Sequence, residues 1–417
     1  MGAERASPLR VLRDRNFWPY FAGNLASNCG TWFQNIAQAI LVYRLTRSTL
    51  LVGVVNFAQF VGTFVLAPWA GSAADRYDRR RLLVITQIGA VAVTAVLAVL
   101  QGVGLASAPV VIGLALVLGM STAFAIPALQ ALVPDLVPEN ELAAAVALNS
   151  LTFTLARAVG PVAGALVVAQ VGVAPAFALN SLSFLGLIVG LLVVHPRPVS
   201  RRGGAGDPPR LSESVRLIRK DARLVALLVT VAAISVSQDP VLTLAPGFSA
   251  EIFHRADTLT GLLVGVFGAG SVLAAVTLAG RGRVRQLPAT CLVMGAGLCG
   301  FGLARSLPFA CGALAVAGFA FLLTNTAATT AVQLEVAPEQ RGRVMALWSL
   351  CFLGTRPLAS LADGVLASTV GLRGAAVAMA MPVAAVGVVL GVRRARLLPG
   401  PAVHEPEVPP GDVPYNA

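Results

Sequence analysis

Gly71-Ser72-Ala73-Ala74-Asp75-Arg76-Tyr77-Asp78-Arg79-Arg80-Arg81 stands between two long apolar runs. Its two acids and four arginines cannot enter hydrocarbon cheaply, because a charge at the bilayer centre costs roughly 2.5 to 3.5 kcal/mol on insertion scales. The stretch is expected to form a tight loop at a membrane surface, with the runs on either side crossing the membrane.

The same alternation continues along the chain. Of 417 residues, 56% are hydrophobic and only 12% charged, against about 25% charged in soluble domains. A span needs about 20 mainly apolar residues. Runs of that order lie between charge clusters at about 17 to 42, 51 to 70, 82 to 104, 109 to 133, 143 to 170, 175 to 194, 224 to 250, 260 to 280, 288 to 304, 308 to 333, 343 to 368 and 374 to 392. This predicts an all-α membrane protein with twelve transmembrane helices. The 41 glycines and 26 prolines are tolerated within spans, where neighbouring helices resatisfy the backbone.

The net charge of +12 is distributed for a membrane rather than for nucleic acid. With the amino terminus inside, 24 of the 31 Lys and Arg fall on one side, five fall opposite, and Arg157 and Arg356 lie within spans. That bias is the positive-inside pattern and predicts cytoplasmic ends in a bacterial inner membrane. The five cysteines sit in predicted spans without metal-ligand spacing, so no metal site is expected. His195, His254 and His404 are scattered over loops and tail, no H-E-x-x-H or Walker pattern occurs, and the sole lysine is Lys220. Neither an enzyme nor ATP-driven transport fits, and neither catalytic residues nor a cofactor are expected.

Residues 195–223 carry Pro196, Pro198, Gly203, Gly204, Gly206, Pro208 and Pro209 and read as a cytoplasmic linker. It separates a first half at 17–194 from a second at 224–392, after a cytoplasmic segment at 1–16. Within the linker, 211–223 suits a surface helix, and the tail at 393–417 is expected to be disordered. Val133-Pro-Asp135-Leu-Val-Pro138-Glu139 echoes Leu334-Glu335-Val-Ala-Pro338-Glu339, and Ala147-Leu-Asn-Ser-Leu151 echoes Ala346-Leu-Trp-Ser-Leu350. Such a repeat predicts two pseudo-symmetric six-helix bundles.

The order G-x-x-x-D-R-x-x-R-R-R between the second and third spans resembles the signature loop of the major facilitator superfamily of secondary transporters. Asn24 to Gln38, Leu148-Asn149-Ser150, Leu155 to Gly164 and Arg341-Gly342-Arg343-Val-Met resemble the branch that contains the bacterial enterobactin exporter and related drug and macrolide efflux proteins. Asp78 stands where the broader signature has Gly, which leaves open the backbone geometry of that turn. For the loop residues Gly71, Asp75, Arg76, Arg79 and Arg80, the resemblance implies gating. Asp75 would meet the amino end of the eleventh helix near Gly342, and the arginines would meet acids such as Asp135 or lipid headgroups, only when the halves close inside. Gly160-Pro161-Val-Ala-Gly164 resembles the antiporter motif of drug exporters, and implies a kinked, closely packed span at a rocking interface; ordinary packing is the other reading.

Asn24, Asn28, Thr31, Asn35 and Gln38 recur at helical spacing on one arc of the first span. The stripe either lines a substrate cavity or only bonds helices together. Asn56, Gln59 and Gln130 are further cavity candidates. Asp239, beside the helix-breaking Pro240, is the first candidate for a proton- or cation-coupling acid, with a solvated position at the outer mouth as the alternative. Pro240 is expected to free a carbonyl near Val236. Arg356 and Asp363 share a face of the eleventh span, either as a structural pair or with Arg356 binding an anionic group. Arg157 is a candidate counter-charge for Asp239.

The expected function is secondary active export of an amphipathic small molecule by alternating access, coupled to a proton or other cation gradient. The expected partners are that molecule and the bilayer, with no nucleic acid, and the chain is expected to act as a monomer. Import or facilitated diffusion, and a nontransporting sensor of the same fold, are the alternatives.

Overall fold

The computed structural model describes residues 8–196, 221–255, 258–278, 284–336 and 341–393. Most of the predicted linker, with the surface helix at 211–223, and the predicted tail lie outside the described residues. The long helices are α1 Trp18–Thr46, α2 Thr49–Val65, α3 Ala67–Arg76, α4 Arg79–Gly102, α5 Ala108–Leu136, α6 Leu142–Val171 and α7 Val173–Val193, then α8 Ala222–Gln238, α9 Thr258–Leu278, α10 Leu287–Leu303, α11 Leu307–Glu335, α12 Arg341–Phe352 and α13 Arg356–Val392. Among the described residues, eight stretches are long and apolar enough to cross a membrane, or nine if α2 and the end of α3, bent by 55°, form one span. The last of the eight runs from Leu347 to Val392, too long at 1.5 Å per residue for one crossing. Gly371 reverses the chain within it at φ 76, a backbone that glycine adopts without a Cβ penalty.

The arginine-rich stretch is less of a loop than its polarity suggests. Helix α3 continues to Arg76, and only Tyr77 and Asp78 turn the chain. A helix can leave the apolar layer without ending, so polarity marks the surface and not the helix terminus. Asp78 takes φ −63 and accepts a hydrogen bond from Arg81 N at 2.7 Å. It is an N-cap that supplies an acceptor to an otherwise unpaired helix donor, and no left-handed backbone is needed there.

Two later spans break beside a proline. Helix α8 ends at Gln238, and Pro240 opens a run of short turns that finishes in a π-helical turn at Phe248–Ile252. The Val236 carbonyl is not left free, since Asp239 N reaches it at 3.3 Å. The eleventh span, expected as one helix, is interrupted between α12 and α13. Pro357 lacks an N–H and crowds the carbonyl four residues back, and Arg356 N bonds Leu353 O at 3.3 Å instead. Helix α6 runs unbroken through Pro161.

The helices before residue 196 pack on one another, α1 against α6 and α7, α4 against α5 and α7, and α2 against α5. Those after residue 221 form a second set, with α10 against α11 and α13, α9 against α11, and α8 against α13. The sets meet along α2 with α13 and α6 with α9.

Candidate functional site

The joints between the sets sit at one face. A Cβ on Gly53 of α2 would fall 2.3 Å from Ser360 O, and one on Gly364 2.9 Å from Leu50 Cα. Across the other seam, a Cβ on Gly261 would meet Ala165 Cβ at 2.0 Å and one on Gly265 would meet Val162 Cγ2 at 2.0 Å. Tyr43 donates to Glu251, and Asn56 Nδ2 donates to Thr243 Oγ1 at 3.1 Å. These residues lie at mid-depth or toward the ends Arg47 and Gly172, opposite the arginine-rich turn. On the arginine face the ion pairs of the described residues stay within a set: Arg10 with Glu141 at 3.2 Å, Arg79 with Asp135 at 2.7 Å, and Arg223 with Glu335 at 3.2 Å. Asp75 and Arg76 are exposed there, and a Cβ on Gly71 would meet nothing within 4 Å.

Between the sets lies a cavity of about 700 Å³, walled by α1, α2, α4, α5, α6 and α7 of the first set and by α8, α9, α11, α12 and the start of α13 of the second. That volume is within the range of small-molecule sites, about 300 to 1,000 Å³. Asn24, Asn28, Thr31 and Asn35 line it, with Gln59 and Gln130. Both readings of the amide stripe are therefore visible, because its members also bond across helices. Asn24 Nδ2 donates to Asn149 Oδ1 at 2.9 Å, Asn28 Nδ2 to Thr152 Oγ1 at 3.3 Å, and Gln59 Nε2 to Asn35 Oδ1 at 2.6 Å. Gln38 and Asn56 are not in the wall. Gln38 is fully buried and donates to Gln59 Oε1 at 3.0 Å, while Asn56 serves the seam. Helical spacing fixes a face but not the depth at which the cavity stops.

Asp239 and Arg356 are the charged residues in the wall among the described residues. Asp239 is 1% exposed, which excludes a solvated mouth position. Its Oδ2 accepts from Ser360 Oγ at 2.6 Å and Thr243 Oγ1 at 2.9 Å, while Oδ1 lies 3.9 Å from Arg356 Nε. The guanidinium sits over the rings of Phe60 at 4.6 Å and Trp32 at 5.4 Å, a cation–π arrangement. Thus Arg356 faces Asp239; the side chain of Arg157, the expected counter-charge, lies outside the described residues. Asp363 is fully buried off the cavity, one turn beyond Ser360, and both its oxygens are without a hydrogen-bond partner.

Gly160 and Gly164 face α1, where added Cβ atoms would come 2.7 Å from Trp32 Cβ and Phe33 O. The seam to the second set is made instead by Pro161, Val162 and Ala165. The Arg79–Asp135 pair joins α4 to α5 within the first set, so it does not wait for the halves to close. Arg80 Nη2 donates to Leu192 O at 2.5 Å. The side chains of Arg341 to Arg343, where Asp75 was expected to dock, lie outside the described residues. Sequence reasoning missed Asn149, Trp348, Phe153 and Phe352 in the wall, although the repeat at an offset of 199 could have paired the first two. Among the described residues no cluster of His, Cys, Asp or Glu is placed to hold a metal.

An almost wholly helical chain with many membrane-crossing segments and a cavity shared by two sets is a secondary transporter of the major facilitator superfamily. The chain belongs to the transmembrane secretion effector family of that superfamily, whose model matches residues 6–406. Macrolide efflux protein A of Streptococcus pyogenes is 22% identical over 81% of this chain and 86% of its own length. The multidrug efflux pump Tap of Mycobacterium bovis is 26% identical over 91% and 94%. The staphyloferrin A transporter of Staphylococcus aureus is 24% identical over 62% and 66%. A bacterial homologue of the human lysosomal transporter Spinster, solved inward-facing and unoccupied, has the same fold with a TM-score of 0.68 at 15% identity, covering 92% of this chain and 96% of that one. The nucleoside transporter NupG has it with a TM-score of 0.70 at 10% identity, covering 91% and 99%.

Proposed function

We propose that this protein exports an amphipathic small molecule, such as a drug, siderophore or secondary metabolite, by alternating access coupled to proton antiport. Two six-span halves, 17–194 and 224–392, rock about the central cavity, with both chain ends on the cytoplasmic side of a bacterial inner membrane. The observation that carries this reading is a cavity walled by both sets, which are joined by close packing at one face and, among the described residues, by nothing comparable around Gly71 and Asp75 at the other. A carrier needs two such states with different joints. The bias of 24 basic residues to five supports the arginine face as cytoplasmic, which makes the described state inward-open. The names of the efflux relatives support export.

Coupling follows from a charge count at the seam. Among the described residues, two buried acids, Asp239 and Asp363, accompany one cation, Arg356. An ionised carboxylate with no partner in such surroundings costs several kcal/mol, so the site holds one proton together with its Asp239–Arg356 pair. Closing the arginine face separates Gly53 from Ser360, wets this seam from the other side and exchanges that proton. Asp75 then docks at the amino end of α12, and the protein works as a monomer. Flux of amphipathic drugs, a macrolide and planar aromatic compounds among them, into proteoliposomes under an imposed pH gradient tests the reading. Accumulation of any of them above the outside concentration that collapses with the gradient supports antiport; flux that only follows the drug gradient indicates a facilitator.

A further inference from the structure

The internal repeat extends further than the residues that first show it. Phe153 and Phe352 stand at the same offset of 199 as Asn149 and Trp348, and all four side chains are in the cavity wall. Each of these two phenylalanines pairs with a tryptophan of its own set. In the second set the Trp348 and Phe352 rings are stacked, with centroids 5.1 Å apart and planes 17° apart. In the first set Trp32 and Phe153 meet edge to face at 6.0 Å and 69°. The indole N–H of Trp348 is already bonded to Thr329 Oγ1 at 3.1 Å, which fixes the ring plane and leaves no donor for a ligand. A stacked pair with an open outer face is extended by a third flat ring, while ring edges favour the face of one.

Polar demand in the same wall points to the ligand's rim. Gln87 of α4 and Asn325 of α11, one from each set, line the cavity, and each has a buried side-chain oxygen with no donor. Gln87 is 5% exposed, and a buried acceptor without a donor is costly, so a donor in the cavity would draw either amide to turn toward it. The two charges in the wall already face each other, so a ligand needs no net charge.

We propose that the cavity binds an uncharged, planar aromatic molecule with N–H or O–H donors at its rim, held between the aromatic pairs Trp32–Phe153 and Trp348–Phe352, one from each set, and read by Gln87 and Asn325. This rests on the cavity being the cargo site. It names the class of cargo and assigns specificity to side chains the coupling site does not use.

Three probes test it on the full-length protein in lipid nanodiscs: naphthamide, its fully saturated bicyclic analogue, and N,N-dimethyl naphthamide. Equilibrium binding is measured with empty nanodiscs subtracted. Naphthamide is expected to bind about threefold to tenfold more tightly than the saturated analogue, and about threefold to tenfold more tightly than the dimethyl amide, which lacks the donors. Trp348→Leu and Phe352→Leu are each expected to bring the aromatic-to-saturated ratio toward one, and saturated-analogue binding reports that the cavity is intact. A wild-type ratio near one, or a ratio unchanged in both variants, overturns the proposal. Binding ratios do not depend on coupling or direction, so failure here leaves the flux test untouched, and absence of flux with the ratios preserved sinks only the export reading.

Discussion

Gly53 and Ser360 touch backbone to side-chain position across the two sets, so closely that any Cβ at residue 53 would sit 2.3 Å from the Ser360 carbonyl oxygen. The contact holds α2 against α13 next to the residue that donates to Asp239. Closure of this face and the environment of the buried acids are therefore one event.

Gly53→Val is expected to prevent that approach. Overpacking of this kind costs about 1 to 3 kcal/mol, enough to move a two-state equilibrium by about fivefold to more than a hundredfold. Spin labels at Arg47→Cys and Thr369→Cys should report longer distances in the variant by double electron–electron resonance. An unchanged distance distribution would mean that the glycine seam does not control the face.

Tyr43→Phe removes the hydroxyl that bonds Glu251 and leaves a carboxylate without its donor. A loss of about 1 to 3 kcal/mol is expected at that joint alone. Hydrogen exchange should accelerate around residues 43–52 and 248–253 while the Asn24–Asn149 network keeps its protection. Uniform acceleration would point to global destabilisation instead.

Arg356→Gln strands two acids without a cation and is expected to destabilise the protein by about 3 to 5 kcal/mol. Adding Asp239→Asn should recover much of that loss in thermal unfolding, yet coupled flux should stay absent. Should the double variant be no more stable than Arg356→Gln alone, the pairing of Arg356 with Asp239 would be wrong.

Asp78→Ala deletes an N-cap at the arginine-rich turn and should lower stability by about 1 kcal/mol, while Asp78→Gly should cost only a few tenths. Thermal unfolding in detergent measures both. Equal losses would show that the side chain acts through something other than the Arg81 amide.

The membrane-crossing pattern was legible because each span is a long apolar run bounded by charge, and Pro240 announced its break through the missing N–H, whereas the break before Pro357 was not expected. The amide stripe could be placed on one helix face from its spacing, yet Gln38 shares that spacing and is sealed below the cavity floor, since periodicity carries no depth. The approach of Arg356 to Asp239 was not legible because the pairing of α8 with α13 is a tertiary fact: Arg356 is 117 residues away in sequence but faces the acid at 3.9 Å. The glycines of the 160–164 motif were expected at the rocking interface. Small residues signal close approach without saying to which neighbour, and here they admit α1 while Ala165 and Val162 enter the glycines of α9.

Cysteine accessibility at position 28 addresses alternating access most directly. In an Asn28→Cys variant with the five native cysteines replaced, a membrane-impermeant maleimide should label the cavity from both faces, in right-side-out and in inverted vesicles. A pH gradient should raise one rate as it lowers the other. Labelling from one face only, under every gradient, would contradict a cavity that opens to each side in turn.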